Sequence, residues 1–298
     1  MNVLVTGSNG FVGSWIVKIL RSKYNVIGCG RSISSKIDVD DYVKWDIGKE
    51  ECPTRILNMK IDIVVHAAAC KDMDDYNDDL IYTNCMGTYR IYQLVEQCKV
   101  KKLILISGIP VIGIPNNVIT ELTAVNPRTV YHVTKVFQEL LLNQLNLKNS
   151  TINVINLRIP SPIGPGQPVT SIVPVFLNQA LKNENIIVQG KGTRRQNYID
   201  VRDVALAVNK IIMNASICGI YNLGVDYTVS NLELARMCIK LADSCSEIEF
   251  SGTKDACDNQ VWNIDSTKLK HGIDFETSYS IQQTLKDMLM FMKRQQEL

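Results

Sequence analysis

The chain has 298 residues, 46% hydrophobic and 21% charged, with a formal net charge of +2 at pH 7. That length can bury a large core in one big or two modest domains. Near-balanced charge without a block of like sign gives no reason to expect nucleic acid or an anionic membrane as partner. The nine cysteines form no C-x-x-C pair, and three histidines offer no metal-ligand spacing. Reduced thiols, a cytoplasmic location and no metal are therefore expected. With no signal peptide ahead of the first strand and no apolar run of span length, no membrane is expected either.

Strand and helix patterns alternate from the start. Val3, Leu4 and Val5 make an apolar run of the kind a buried strand carries. Gly7, Gly10 and Gly13 follow, and residues 14–22 then take a helical period. Such a turn suits a pyrophosphate: missing side chains let the backbone approach, and the helix N-terminus offers N–H groups and a positive dipole end. Three glycines alone also fit an ordinary strand–turn–helix joint, but their place between a buried strand and a helix favours a dinucleotide. Further strands are predicted at 25–28, 42–46, 61–69, 102–107 and 152–157, with helices at 79–98 and 129–145. This alternation predicts an α/β fold, a Rossmann-type doubly wound parallel sheet.

Four prolines and two glycines crowd residues 158–168, a loop signature. Helix patterns follow at 172–181, 201–213, 231–242 and 280–294. The expected division is a dinucleotide-binding domain over 1–158, to which 197–224 returns, and a smaller C-terminal substrate-binding lobe from 159–196 and 225–298. The lobe would close over the sheet's C-terminal edge, where ligands of open α/β sheets sit.

Nicotinamide-dinucleotide sites commonly carry an acid about twenty residues past the glycines, on the ribose 2′-hydroxyl. Here the second strand ends Gly28-Cys29-Gly30-Arg31-Ser32, with no acid. Arg31, Ser32 and Lys36 suit a 2′-phosphate, which an arginine fork matches well. NADP is therefore favoured and NAD is the alternative, while Arg31 as a solvated turn residue is the plainer reading. Asp46, followed by Ile47, either accepts from the adenine amino group or caps the next turn.

Tyr131 and Lys135 are four apart and so share a helix face. A phenol titrates near pH ~10, and a neighbouring ammonium favours the phenolate, making the tyrosine a usable acid or base. The same lysine can reach a ribose hydroxyl. By itself such a pair occurs by chance on helix surfaces.

Nearly end to end, the chain resembles the extended short-chain dehydrogenase/reductases, in the branch of nucleotide-sugar epimerases, dehydratases and ketoreductases. Thr6-Gly-Ser-Asn-Gly-Phe-Val-Gly13 resembles the family's glycine motif, Val65-His-Ala-Ala-Ala69 its fourth-strand motif, and Asn84-Cys-Met-Gly-Thr88 its Asn-x-x-Gly-Thr helix. Tyr131 and Lys135 fit the catalytic pair. Leu157-Arg158 through Gly164-Pro165-Gly166 resembles the loop reaching nicotinamide and sugar, the stretch 190–203 the returning segment, and Tyr221-Asn-Leu-Gly224 the strand after it.

The resemblance implies cofactor contacts from Gly7, Ser8, Asn9, Gly10, Phe11, Val12, Gly13, Ala67, Ala68, Ala69, Asn84 and Pro160, besides Tyr131 and Lys135. It implies substrate contacts from Lys71, Ser161, Arg194, Arg195 and Gln196. A homodimer through helices like 79–98 and 129–145 is also implied, although their apolar faces fit core positions as well.

Three departures shape the expected chemistry. The family's catalytic hydroxyl falls on Gly108, so either Ser107 replaces it or that donor is missing. The dehydratases' Asp-Glu pair reads Ile109-Pro110, and neither side chain carries a proton. The arginine of the returning segment reads Gln196, with Arg194 and Arg195 still supplying positive charge. The expectation is an NADP(H)-dependent oxidoreductase acting on a nucleotide-diphosphate sugar, preferably a 4-keto-sugar reductase, with Tyr131, Lys135 and Ser107 catalytic. An NAD-dependent epimerase and a non-catalytic dinucleotide-binding protein are the alternatives.

Overall fold

The computed structural model describes residues 1–72, 76–114, 117–148 and 151–296. In chain order, β1 (Asn2–Thr6) turns into α1 (Phe11–Leu20), followed by β2 (Asn25–Gly30), β3 (Asp41–Lys44), the single turn α2 (Thr54–Leu57) and β4 (Ile63–His66). Next come α3 (Asp79–Ile81), α4 (Gly87–Gln97), β5 (Lys102–Gly108), α5 (Val130–Lys148) and β6 (Asn153–Ile159). The remainder makes β7 (Ser161–Ile163), α6 (Ile172–Leu181), β8 (Ile186–Val188), β9 (Arg195–Gln196), β10 (Tyr198–Asp200), α7 (Val201–Met213) and β11 (Gly219–Asn222). It ends with β12 (Val229–Ser230), α8 (Asn231–Ala242), β13 (Ile248–Phe250), α9 (Thr267–Ile273) and α10 (Ile281–Gln296).

Among the described residues the main sheet runs β11-β6-β5-β4-β1-β2-β3, with every neighbouring pair parallel. Its strands are continuous apolar runs because both faces are covered. Val3, Val5, Ile104, Ile106 and Leu157 point to one face, packed with Ile16 and Leu20 of α1 and Val204 and Val208 of α7. Leu4, Val64, Leu103, Leu105 and Val154 point to the other, against Ile91 and Leu94 of α4 and Leu142 and Leu145 of α5. This is the doubly wound sheet expected from the alternation. The winding reverses between β1 and β4, which places a crevice at their C-terminal ends.

A separate apolar cluster joins Phe176 and Leu177 of α6, Leu234 and Cys238 of α8, and Leu285 and Met288 of α10. Ser230 and Glu233 close a capping box at the start of α8. Among the described residues no helix is long and apolar enough to cross a membrane.

Two elements depart from the periodicity. The fourth strand, expected over 61–69, ends at His66, because Ala67, Ala68 and Ala69 leave the sheet to pass the glycine turn. Gly7 sits there at φ +67, and a Cβ on it would lie 2.7 Å from the Ala68 Cα. The helix expected over 79–98 is interrupted by a π-helical turn, Tyr82–Met86. A π turn adds about one residue to a turn and so leaves the apolar spacing nearly intact, which is why the sequence reads as one helix.

Candidate active site

The glycine turn forms one end of the site. Gly10 caps α1 through its backbone alone, so no side chain covers the first N–H groups of that helix. A Cβ on Gly13 would lie 2.2 Å from the Gly7 carbonyl oxygen, so the helix rides directly over the turn. Asn9 fastens the turn to the loop after β2: its Nδ2 donates to the Ser34 carbonyl (3.1 Å) and its Oδ1 accepts from the Lys36 N–H (2.8 Å). The Tyr42 hydroxyl donates to the Ser32 carbonyl of the same loop (3.1 Å).

Between turn and loop lies a cleft of about 280 Å³. Its lining includes ten residues singled out in the sequence: Gly7, Asn9, Gly10, Arg31, Ser32, Asp46, Ile47, Ala67, Ala68 and Ala69. Gly30 and Lys36 also line it, with Cys29, Trp45 and Thr83, which sequence reasoning did not single out. Thr83 lies on the π-helical turn, which local periodicity does not reveal. Ser8, Phe11, Val12, Gly13, Asn84, Tyr131, Lys135 and Pro160 are not in this lining. Glycines and an uncapped helix start beside the crevice fit a dinucleotide. Arg31 is 67% exposed, and its Nη1 lies 3.6 Å from Asp79 Oδ2. Asp46 Oδ1 accepts from the Gly48 N–H (3.1 Å), so it caps the next turn while facing the cleft.

Behind the cleft a buried polar chain ties the glycine turn to α5. Thr6 Oγ1 accepts from the Ala68 N–H (3.1 Å) and lies 2.8 Å from His66 Nδ1. His66 Nε2 lies 3.0 Å from Thr88 Oγ1, which donates to the Asn84 carbonyl (2.6 Å) and accepts from Gln138 Nε2 (2.6 Å). Each hydroxyl has one hydrogen, and Thr88 gives its own to Asn84. Thr6 therefore donates to His66 Nδ1, and His66 donates from Nε2. The ring is neutral, and burial, with the Lys135 charge adding to it, pushes its pKa down to about 3. Asn84 Nδ2 in turn donates to Thr134 Oγ1 (2.9 Å), which donates to the Tyr131 carbonyl (2.7 Å).

Tyr131 and Lys135 share the inner face near the start of α5, with Lys135 Nζ 5.9 Å from the Tyr131 ring centre. The electrostatics differ from expectation. Burial, with the Cys70 thiol adding to it, pushes the phenol up to about 12. Burial also pushes the Lys135 ammonium down to about 8, and its Nζ donates to the Ile106 carbonyl (3.0 Å). Desolvation dominates at Tyr131, so the expected lowering of its pKa is not seen. Ser107 also differs: its buried hydroxyl donates to Glu139 Oε1 (2.5 Å), which commits its one hydrogen. In this arrangement Ser107 can accept from a ligand but not donate to one. Gly108 has extended backbone (φ −136, ψ 139), and a Cβ there would meet nothing nearer than Pro110 Cδ at 3.5 Å.

The match to known proteins agrees with this geometry. A model of the NAD dependent epimerase/dehydratase family matches residues 3–224. The chain belongs to that family. It is an enzyme of the extended short-chain dehydrogenase/reductase type. It is similar to dTDP-D-glucose 4,6-dehydratase of Dictyostelium discoideum, 28% identical over 80% of this chain and 62% of that protein. It is also similar to low-salt glycan biosynthesis protein Agl12 of Haloferax volcanii, 27% identical over 96% of each. Solved structures with the same fold include MoeE5 in complex with UDP-glucose and NAD, with a TM-score of 0.88 at 23% identity, covering 99% of this chain and 100% of that one. UDP-glucose 4-epimerase of Thermotoga maritima with UDP-glucose gives 0.89 at 22% identity, covering 99% and 100%.

The residues expected on the substrate side divide differently within this family member. Arg195 is spent on the segment that enters α8: Nε and Nη2 donate to Thr228 Oγ1 (3.0 Å) and the Thr228 carbonyl (2.7 Å), and Nη2 lies 3.0 Å from Glu233 Oε2. It braces the start of α8 rather than presenting its fork to a ligand. Arg194 pairs with the Gln196 amide oxygen at 3.2 Å. Lys71 is exposed, and Ser161 is half-buried in β7, its N–H donating to the Asn197 carbonyl (3.3 Å). Among the described residues no cluster of His, Cys, Asp and Glu could hold a metal.

The neutral His66 sets a pH dependence. Its folded pKa lies below the ordinary 6.5, so the stability it contributes is whole above pH 6.5 and is lost as the pH falls towards about 3. The stability difference between wild type and His66→Gln should shrink by about 1.4 kcal/mol per pH unit between about pH 6 and 4, read by urea unfolding. A difference that stays constant with pH would mean that the ring is not held neutral.

Proposed function

We propose that the chain is an NADP(H)-dependent oxidoreductase of nucleotide-diphosphate sugars, working as a 4-keto-sugar reductase. The end of β2 carries this reading. Gly30, Arg31, Ser32 and Lys36 line the cleft without a carboxylate on that strand end, and Asn9 fastens their loop to the glycine turn. A 2′-phosphate there would meet an exposed guanidinium fork, which Asp79 holds only loosely at 3.6 Å. When bound, the nicotinamide would supply hydride to the carbonyl carbon of the sugar.

Tyr131 would hand its phenolic proton to the carbonyl oxygen as the hydride arrives, turning the ketone into an alcohol. Its raised pKa keeps that proton in place until an oxygen with growing negative charge draws it away. Lys135 would stabilise the resulting phenolate and reach the ribose. Ile109 and Pro110 stand where a dehydratase of the family has its acids, which argues against dehydration by that route. The smaller lobe built on α6, α8 and α10 would cover the substrate, with Arg194 and Lys71 supplying positive charge for the diphosphate.

A second reading, an NAD-dependent epimerase, has its own support: the structures similar to this chain include complexes with NAD. Pairing into a homodimer is supported by exposed apolar side chains: Ile81 and Tyr82 just before α4, Tyr89 on it, and Val133, Phe137 and Leu140 along α5. A face of this kind marks a protein–protein contact.

With a 4-keto nucleotide sugar the enzyme should oxidise NADPH, and Tyr131→Phe should lower kcat roughly 100-fold or more with NADPH binding kept. Full activity in that variant would exclude the proton-transfer role. Arg31→Glu should raise the Kd for NADPH by about ten-fold or more while moving NADH little; equal effects would take Arg31 out of the site. Sedimentation should show a dimer that Leu140→Asp converts to monomer, and a wild-type monomer would exclude the pairing.

A further inference from the structure

Glu139 lies one turn beyond Lys135 on α5, inside the protein. Arg158 holds its carboxylate by one edge of the guanidinium: Nε donates to Oε1 (2.9 Å) and Oε2 (3.2 Å), and Nη2 to Oε2 (2.7 Å). Ser107 donates to Oε1 from the neighbouring strand, where it is the register partner of Arg158. Ser107, Glu139, Arg158 and Lys135 are all buried. Nothing in the fold alone demands a carboxylate here, since a buried ion pair is on average no more stabilising than apolar side chains of similar volume.

We infer that Glu139 is a positioning residue: held by Arg158, it keeps Lys135 charged inside the protein and takes up the one hydrogen of the Ser107 hydroxyl. The role assigned to Lys135 rests on the function proposed above; the placement of Glu139 does not.

The groups facing Lys135 support this. Around Lys135 stand Tyr131 and Glu139 of the same helix, the Ile106 carbonyl of β5 and His66 of β4; Ser107 and Arg158 are joined to it through Glu139, and Cys70 through Tyr131. The Tyr131 phenol and the Cys70 thiol are pushed up by burial and keep their protons, and His66 is neutral. Arg158 adds positive charge. The Glu139 carboxylate is the group that opposes the desolvation of the ammonium. A lysine without that carboxylate would lose its proton at lower pH and could no longer support a phenolate at Tyr131.

The test is the titration of Lys135 in the cofactor-free chain, read from its side-chain carbon resonance by NMR, beside the pH profile of kcat/KM. In Glu139→Gln the midpoint should fall by about one pH unit, and the alkaline limb of the profile should move down with it. Glu139→Asp keeps a charge for Arg158 but draws it back by one methylene; its fall should be about half as large, and it serves as the test if the amide variant does not fold. An unmoved midpoint in the variant that folds, even with a lower Tm or lost activity, would overturn the proposal and leave Glu139 as an ion-pair partner only. Should wild type turn over no nucleotide sugar, the function proposed above fails, while the NMR titration still decides the role of Glu139.

Discussion

The hydrogen-bond chain from Thr6 through His66 and Thr88 to Asn84 and Thr134 is the constraint on which the site's geometry depends. It joins the end of β1, the end of β4, the π-helical turn and α5, elements far apart in sequence. Each threonine hydroxyl has one hydrogen, so the bond from Thr88 to the Asn84 carbonyl sets the directions at His66 and Thr6. A polar chain of this kind is stable in a dry interior only when fully satisfied. Its effect is to fix how the glycine turn stands relative to Tyr131 and Lys135, the two ends between which a dinucleotide would lie.

Burial decides the charges along that path more than proximity does. His66 is neutral, Tyr131 keeps its proton to high pH, and Lys135 keeps its charge less firmly than a solvated lysine. The apolar faces of the sheet that stabilise the fold also supply the low-dielectric surroundings responsible for these shifts. Fold stability and acid–base behaviour thus share one cause.

Much of this was legible in the sequence where the determinants are local. The strand–glycine–helix joint, the alternation that makes a doubly wound sheet, and the helices at 172–181, 201–213 and 231–242 all follow from short-range pattern. So does the placing of Tyr131 and Lys135 on one helix face. What stayed hidden depends on partners distant in sequence. The π turn shifts spacing by too little to break an apolar period. The Ala67–Ala69 stretch reads as strand until the glycine turn displaces it. Ser107 looks like a spare hydroxyl until Glu139, 32 residues away, takes its hydrogen. Arg195 looks free for a phosphate until Thr228 and Glu233 occupy it.

Gly108 separates what the fold requires from what the site has chosen. At Gly7 and Gly13 a methyl group would strike backbone, so those glycines are structural necessities. At Gly108 the backbone is extended, and a Cβ would come no nearer than 3.5 Å to Pro110 Cδ, an ordinary contact. A Cβ there would make only ordinary contacts, so the packing around that atom does not require glycine. The missing side chain at that point is therefore not imposed by backbone conformation or by Cβ contacts, unlike the missing side chains of the glycine turn.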